Sequence, residues 1–223
     1  MENIFAVYKP KGITSNDAVQ KVRSIVGRSV KVGHAGTLDP LAQGVLVIAV
    51  GREATKKISE TVQKEKEYIA EITLGFESST DDAEGEKTVF RPELVEGSKK
   101  PKRGEIERIL PGFIGKIKQV PPVYSAIKIG GKEAYKYARN GQVVEMQPRE
   151  VEIKNIEILE YARPVLKIKV ITGPGVYIRS LARDIGKKLE VGGYLSFLER
   201  TRVGDFIKEK AVKMDDLPGF LAE

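Results

Sequence analysis

The sequence of 223 residues contains no cysteine and only one histidine, His34. Without cysteine, the chain cannot form disulfides, thiolate nucleophiles or cysteine-ligated zinc and iron–sulfur centres. A single histidine also excludes the histidine clusters that bind transition metals in many enzymes. We therefore expect a chemistry that uses neither a metal nor a cofactor.

Long apolar segments are missing as well. No stretch approaches the roughly 20 apolar residues that a membrane-spanning helix needs. The N-terminal residues also lack the basic region and apolar core of a secretion signal. With 41% hydrophobic residues, the chain can bury a core as one globular domain or as one domain with an insertion. These properties predict a cytoplasmic protein.

The charge balance is basic, with 38 Lys and Arg against 31 Asp and Glu and a formal net charge of +7. An excess of positive charge suits a polyanionic partner such as nucleic acid, although an ordinary basic protein has the same balance. Charge alone therefore leaves the partner open.

The most informative segment is Gly-His-Ala-Gly-Thr-Leu-Asp-Pro at residues 33–40. Its two glycines permit unusual backbone angles, while Pro40 fixes its own φ and pushes Asp39 toward an extended conformation. An apolar run at residues 44–51 follows and predicts a strand buried on both faces. A polar loop beside such a strand is typical of an active-site loop that directs the Asp39 carboxylate. A purely structural turn is the competing interpretation, because Gly-x-x-Gly and Asp-Pro are common in turns.

Hydrophobic periodicity predicts alternating strands and helices elsewhere. The polar residues 76–104 are weakly periodic, so we expect mostly loop there. Their acidic cluster at residues 78–82 lacks the glycine and terminal glutamate of a calcium loop, and we expect it on a solvated surface. The predicted strands are residues 4–8, 44–51, 68–75, 127–129, 150–159 and 165–172, and the predicted helices are one capped by Thr14 or Ser15, residues 53–63, residues 105–113 and a segment ending at Leu189.

Residues 119–150 predict a protruding arm, with a Gly130-Gly131 hairpin turn and a short helix that ends at Asn140-Gly141. Cations and tyrosines alternate in this arm, a mixture that single-stranded or looped RNA prefers. The competing interpretation is a helix whose tyrosines face the core and whose lysines face water. The residues concerned are Lys128, Lys132, Lys136, Arg139, Tyr124, Tyr135 and Tyr137.

The glycines of residues 173–175 precede Arg179 and a predicted helix. No Walker lysine and no complete dinucleotide fingerprint is present, so a nucleotide cofactor is not expected. A guanidinium at the positive end of a helix is unfavourable unless a carboxylate pairs with it. We therefore expect an acidic partner for Arg179.

Together these motifs resemble the TruB family of tRNA pseudouridine synthases, in the family's order and over nearly the whole chain. The resemblance implies a mixed α/β (α+β) pseudouridine synthase fold, with a central antiparallel-rich sheet flanked by helices. It also implies one catalytic domain over residues 1–223, in which residues 119–150 form an RNA-binding thumb. The motifs are Lys9-Pro10-x-Gly12-x-Thr14-Ser15, residues 33–44, Tyr68, Pro121-Pro122-x-Tyr124-Ser125-Ala126 and Gly175-x-Tyr177-Ile178-Arg179.

The implied activity is isomerisation of uridine 55 in the tRNA T-loop to pseudouridine, by base flipping and rearrangement of the glycosidic bond. Asp39 would act as the nucleophile, and attack on the ribose or assistance to its deprotonation are both open. Arg179 would pair with Asp39 and orient it. Tyr68 would stack on the flipped uracil and take or give a proton. His34 would enter the T-loop, while Tyr177 and Leu198 would line the base pocket.

Further implications concern partners. The family relation implies a monomer that binds the tRNA T-stem-loop without metal, with RNA contacts at Lys9, Lys128, Lys132, Lys136 and Arg139. Because the chain ends at Glu223, we expect the C-terminal PUA-type domain of many family members to be absent. Glu199 stands where the family usually has arginine, which makes a phosphate contact there doubtful.

Two other functions remain open. A guide-RNA-dependent synthase of ribosomal RNA has a similar catalytic block but depends on a C-terminal RNA-binding domain. A non-catalytic protein that binds or folds tRNA could use the same surface.

Overall fold

The computed structural model describes residues 3–90 and 101–222. Its fold is mixed α/β, with a large mixed sheet flanked by helices, which confirms the predicted class. The strands are β1 Asn3–Lys9, β2 Val32–Ala35, β3 Gln43–Val50, β4 Lys66–Leu74, β5 Phe76–Ser78, β6 Lys87–Val89, β7 Gly115–Gln119, β8 Lys128–Ile129, β9 Lys132–Glu133, β10 Arg149–Ala162, β11 Val165–Thr172, β12 Gly193–Val203, β13 Phe206–Ile207 and β14 Val212–Lys213. The helices are α1 Ser15–Val26, α2 Arg52–Val62, α3 Arg103–Ile109, α4 Ala134–Arg139, α5 Ile178–Lys188 and α6 Leu217–Phe220, with short 3-10 helices at Leu110–Phe113 and Lys208–Lys210.

The chain forms two compact units. Unit 1 consists of residues 1–69, 170–174 and 197–223, and unit 2 of residues 70–169 and 175–196. The prediction of a single catalytic domain over the whole chain stays a prediction.

Unit 1 is built around β3, the apolar run that the sequence predicts as a buried strand. Residues 44–50 of this strand are all buried. One edge of β3 pairs antiparallel with β1, from Asn3 opposite Val50 to Lys9 opposite Gly44. The other edge pairs antiparallel with β2 and, at its first residues, parallel with β12. Because β3 is hydrogen-bonded on both edges and apolar throughout, it fixes the strands that surround it.

Helices cover the faces of this sheet in unit 1. Helix α1 begins with a capping box, in which Thr14 accepts from the Asp17 amide and Asp17 accepts from the Thr14 amide. Its residues Ala18, Val19 and Val22 are buried. A hydrophobic cluster joins Val45 and Val47 of β3 to partly buried residues of α2. Burial of each such side chain stabilises the fold by about 1.5–3 kcal/mol relative to exposure.

Unit 2 contains the antiparallel pair β7 and β10, with β11 beside β10. Helix α5 has a nearly continuous buried face, which includes Leu181, Ala182 and Ile185. The predicted thumb residues 119–150 contain the two-residue strands β8 and β9, joined at Gly130 and Gly131, and the short helix α4. Both glycines have positive φ, 57° and 85°, as a tight hairpin requires.

Most predicted elements are confirmed within a few residues, but two segments differ. Residues 33–35 belong to β2 rather than to a loop, because the edge of β3 offers them antiparallel partners. Residues 76–78 and 87–89 pair as the hairpin β5–β6, and the residues between them form a loop, as expected for most of this segment. Each of its strands is only three residues long, too short for periodicity to reveal. Of the rest of the predicted loop, residues 91–100 lie outside the described residues, and α3 begins at Arg103, two residues before the predicted helix.

Strand β12 has no counterpart among the predicted elements. Its sequence mixes charged and apolar residues, and the buried positions include Arg200 and Thr201 as well as Leu195 and Leu198. Buried polar residues hide the alternation that predicts a strand.

In the part of the chain that the structure describes, no helix combines the length and apolarity needed to cross a membrane.

Candidate active site

The Asp39 loop, residues 36–42, connects β2 to β3 in unit 1 and is held from two directions. The buried hydroxyl of Ser15 donates to the Leu38 carbonyl at 2.9 Å and accepts from the Leu38 amide at 2.8 Å. The Gly12 amide donates to the Pro40 carbonyl at 2.8 Å. These bonds hold the residue on each side of Asp39, so the backbone that carries the carboxylate is fixed, and the direction of the carboxylate itself stays a prediction.

Arg200 of β12 holds the start of the same loop. Its guanidinium donates to the carbonyls of Gly36 at 3.1 Å and Thr37 at 3.4 Å, while its Nε donates to the Val45 carbonyl at 2.7 Å. The side chain is among the largest fully buried ones of the described residues, and the residue is 2% exposed. Nothing in the sequence reasoning singled it out.

Tyr68 lies in β4 and is buried, with 6% of its surface exposed. Burial raises the pKa of its phenol, the charge of Arg200 acts in the opposite direction, and the Asp39 carboxylate raises it further. These influences show that Tyr68, Arg200 and Asp39 are close enough to act on one another electrostatically. The structure therefore brings together the predicted nucleophile and the predicted stacking tyrosine.

Lys66, two residues before Tyr68 on the same strand, is also buried. Its ammonium donates to the carbonyls of Val62 at 2.8 Å and Lys64 at 2.7 Å. Burial, and after it the charge of Arg200, lowers the pKa of Lys66 from 10.5 to about 8. The sequence reasoning did not identify Lys66, since a lysine at the start of a strand is normally a surface residue.

His34 lies in β2, opposite Ile48 of β3. Burial, and after it the charge of Arg200, lowers the pKa of this histidine below its usual 6.5. Its Nδ1 is buried and has no hydrogen-bond partner among the described residues. The ring is therefore neutral at physiological pH, which suits stacking rather than charge pairing.

Leu198 and Glu199 occupy successive positions of β12, and Leu198 is buried. Glu199 accepts from the Tyr8 hydroxyl at 2.8 Å and forms an ion pair with Lys208 at 3.2 Å. Burial, and after it the Glu199 carboxylate, raises the pKa of Tyr8 to about 12. The unusual carboxylate at position 199 is thus neutralised within unit 1.

In unit 2, Arg179 stands in the first turn of α5 and is 5% exposed. Its guanidinium donates to the carbonyls of Tyr124 at 2.8 Å and Thr80 at 3.4 Å, and it lies 3.4 Å from the Asp82 carboxylate. The expected acidic partner at this helix start is therefore present. The predicted pairing of Arg179 with Asp39 concerns residues of different units and stays a prediction.

Asp81 and Asp82 correct the expectation of a solvated acidic surface. Asp82 is 2% exposed and accepts from the Thr80 hydroxyl at 2.5 Å and from the Glu84 amide at 3.0 Å. Asp81 pairs with Arg183 at 2.7 Å. Two arginines of one helix bury these carboxylates, a relation between distant segments that local composition does not reveal.

No group of described residues has the acidic or histidine ligands of a metal site.

Tyr177 immediately precedes α5, and a buried amide side chain holds its backbone. The Tyr177 amide donates to Oε1 of Gln119 at 2.8 Å, and Nε2 of Gln119 donates to the Tyr177 carbonyl at 3.1 Å. Gln119 is 2% exposed. This reciprocal pair of hydrogen bonds fixes the backbone from which the Tyr177 side chain extends. The contact of the Tyr177 ring with the base stays a prediction.

The thumb brings its predicted cations next to its tyrosines. Lys132 lies 4.9 Å from the ring centre of Tyr137, and Lys136 and Arg139 lie 5.9 and 5.4 Å from that of Tyr135. Both rings are half-buried, and in α4 only Ala134 is buried. Neither tyrosine is fully buried, and the role of this helix in binding RNA stays a prediction. Lys128 is exposed.

Lys9 differs from the other predicted RNA contacts. It is fully buried, and its ammonium donates to the carbonyls of Pro10 at 2.9 Å and Ile13 at 2.8 Å. This arrangement favours a role in shaping the turn before α1, and its contact with RNA stays a prediction.

Comparison with known proteins identifies the class. Residues 23–178 match the N-terminal domain of the TruB family of pseudouridylate synthases, and residues 179–222 match the C-terminal domain of tRNA pseudouridylate synthase B. The chain therefore belongs to the TruB family, which confirms the resemblance seen in the sequence.

Named relatives agree with this family. The chain is 43% identical over 221 residues to tRNA pseudouridine synthase B of Parabacteroides distasonis, covering 96% of this chain and 91% of the relative. It is 42% identical to the protein of that name from Caldanaerobacter subterraneus, and the match covers 100% of this chain and 76% of the relative.

Among solved structures, the chain resembles one in the crystal structure of a Cbf5-Nop10-Gar1 complex. The TM-score is 0.72 at 28% identity, and the match covers 98% of this chain. This chain thus spans about half of the matched chain, 54%.

Proposed function

We propose that this protein isomerises uridine to pseudouridine in the T-loop of tRNA. The observation that carries the proposal is the family match over nearly the whole chain, with relatives named tRNA pseudouridine synthase B. The reaction breaks the bond between N1 of uracil and C1′ of ribose, turns the base, and joins C5 to the same C1′. The proton lost from C5 is balanced by one gained at N1, so no redox partner is required.

Asp39 acts at the ribose in this proposal, either as a nucleophile or as the base that assists deprotonation. The geometry supports this role, because Leu38 and Pro40 are both held by hydrogen bonds to the segment around α1. A carboxylate whose backbone is fixed loses little freedom when it meets its target, and such positioning lowers the barrier.

Tyr68 stacks on the flipped uracil and exchanges a proton with it. The raised pKa of its phenol keeps the side chain protonated in the free protein. His34, as a neutral ring, stacks in the T-loop and offsets part of the few kcal/mol that base flipping costs. Leu198 and Tyr177 line the base pocket, and Arg179 orients the reacting carboxylate; these roles follow the family relation.

The thumb cations Lys128, Lys132, Lys136 and Arg139 contact the RNA in this proposal, together with the tyrosine faces beside them. Stacked rings with adjacent cations suit looped RNA. The cytoplasmic location and the monomeric state stay predictions.

The decisive experiment supplies the purified chain with a tRNA transcript labelled with tritium at uracil C5. We expect tritium release and a pseudouridine mapped to the T-loop. Asp39→Asn should lose at least about 10⁴-fold in rate, as is usual when a nucleophile is removed, while still binding the transcript. Asp215→Asn, which changes an exposed aspartate of the same unit, serves as the matched control and should retain the rate.

The outcomes separate the alternatives. Turnover on the bare transcript excludes a requirement for guide RNA. Substantial turnover by Asp39→Asn would refute the role of Asp39. Binding of tRNA without any tritium release from the wild type would instead favour the non-catalytic protein.

A further inference from the structure

Arg200 is a buried cation with an unusual set of partners. Large charged side chains are rarely fully buried unless they pair with an opposite charge. Within residues 3–90 and 101–222, however, Arg200 is bonded to backbone carbonyls and forms no ion pair with a carboxylate. Burial of an arginine in this way is costly, and the three carbonyl bonds offset part of that cost.

Its partners lie at both ends of the Asp39 loop. Gly36 and Thr37 begin the loop, and Val45 belongs to the strand that follows it. The backbone of Arg200 is fixed as well, because it pairs with Gly44 in the parallel register of β12 and β3. One side chain therefore sets the distance between the start of the loop and the strand after it.

The approach of Arg200 to β3 also depends on a glycine. At Gly44, where φ is +109°, an added Cβ would lie 2.2 Å from the Arg200 carbonyl oxygen. No other residue can occupy this position without moving β12. The contact between the two strands is thus as close as the backbone permits.

The charge of Arg200 also acts on the groups around the loop. It lowers the pKa values of Lys66 and His34, in the same direction as burial. It also lowers the pKa of Tyr68, against the rise that burial causes. A single guanidinium is therefore the common electrostatic neighbour of the candidate site in unit 1.

We propose that Arg200 is a positioning residue of the isomerase, which holds the Asp39 loop in its reactive shape and places a fixed positive charge beside Tyr68. The inference rests on the proposed function of this site. Arg200 does not contact RNA in this view, because the residue is 2% exposed. Its role requires the guanidinium itself, since a planar group with five donors reaches three carbonyls at once and an ammonium on a flexible chain does not.

The first test measures the loop without reference to activity. Hydrogen–deuterium exchange is followed in peptides that cover residues 33–42 for the wild type, Arg200→Lys and Arg200→Met. Loss of the carbonyl bonds should speed amide exchange of Leu38 and Ala42 about tenfold or more. Arg202→Met is the matched control, because Arg202 lies on the same strand but pairs with Glu65, away from the loop.

The second test separates catalysis from binding. Single-turnover tritium release by Arg200→Lys should fall about a hundredfold, as expected when a reacting group is misplaced, while Kd for the tRNA transcript changes by less than about threefold. In combination with Tyr68→Phe, the two losses should be less than additive if Arg200 acts partly through the phenol.

The outcomes are distinct. Unchanged exchange in Arg200→Lys, or a loss that appears only in Kd and its salt dependence, would overturn the inference. If Arg200→Met does not fold, the exchange and tritium-release measurements on Arg200→Lys still test the inference. If the wild type releases no tritium, the proposed function fails, whereas the exchange experiment still shows whether Arg200 holds the loop.

Discussion

Each unit of the protein buries one arginine at its candidate functional residues, and the two arginines are held differently. In unit 2, Arg179 faces the Asp82 carboxylate as well as two backbone carbonyls. In unit 1, Arg200 is surrounded by carbonyls that belong to the Asp39 loop and to β3. A carboxylate neutralises a buried charge, whereas several carbonyls fix the path of the backbone that carries them. The difference indicates that Asp82 maintains a charge balance and Arg200 maintains a shape.

The largest effect should come from breaking the ion pair in unit 2. Arg179→Met leaves the Asp82 carboxylate, with its side chain 3% exposed, without that guanidinium. Stranding a buried charge costs about 3–5 kcal/mol in free energy of unfolding, which urea denaturation measures. The double variant Arg179→Met/Asp82→Asn should recover part of this loss because no charge is left behind. A loss below about 1 kcal/mol for the single variant would contradict the assigned charge balance.

The next effect concerns the close approach of β12 to β3 in unit 1. Gly44→Ala places a Cβ against the backbone of Arg200 and should cost about 3 kcal/mol or more, from overpacking and from a φ of +109°. Gly27→Ala is the matched control: its φ is +101°, but nothing lies within 4 Å of the added Cβ. Because backbone strain is common to both variants, the difference between their unfolding free energies isolates the contact with Arg200. Equal losses would show that the contact is unimportant.

The smallest effect is the pH dependence produced by Lys66. Its pKa is about 8 in the folded protein against an ordinary 10.5. Between these values the unfolded chain binds more protons than the folded one, so the free energy of unfolding rises with pH across this window. The stability of the wild type relative to Lys66→Met should therefore be greater near pH 10.5 than at neutral pH. Lys57→Met, an exposed lysine of α2, controls for loss of one charge.

The same measurement sharpens the comparison between the arginines. Since the Arg200 charge contributes to the low pKa of Lys66, Arg200→Met should raise that pKa toward its ordinary value. Carbon-13 NMR of the Lys66 Cε follows the titration directly. A pKa that stays at its wild-type value in Arg200→Met would exclude an electrostatic role for this guanidinium.

Much of this architecture could be predicted, because its signals are local. The alternation in β4, the apolar run of β3 and the Gly130-Gly131 turn each lie within a few residues. The Asp39 motif identified the loop for the same reason. The prediction failed at β5 and β6, where three residues carry too little periodicity, and at residues 33–35, which β3 recruits as a strand.

The residues missed by sequence reasoning share a different property. Arg200 meets Gly36 across 164 residues, and Arg183 meets Asp81 across 102. Nothing in the neighbourhood of either arginine indicates which distant group it will bind. Composition therefore assigned Asp81 and Asp82 to a solvated surface, although arginines of α5 bury both. Arg200 is one of three charged residues in β12, and the other two, Glu199 and Arg202, are half-buried, so no local signal marks it as the fully buried one.

The anchors of the Asp39 loop come from segments on both sides of it in the sequence. Gly12 and Ser15 precede it closely, whereas Arg200 is translated long after Asp39 has left the ribosome. A nascent chain can therefore fold α1 against the loop early, but it lacks the guanidinium that completes the arrangement until β12, more than 160 residues further along the chain, has been made. Competence for catalysis should consequently arise only once β12 has been made, so that translation products truncated before Arg200 carry the motif without its activity.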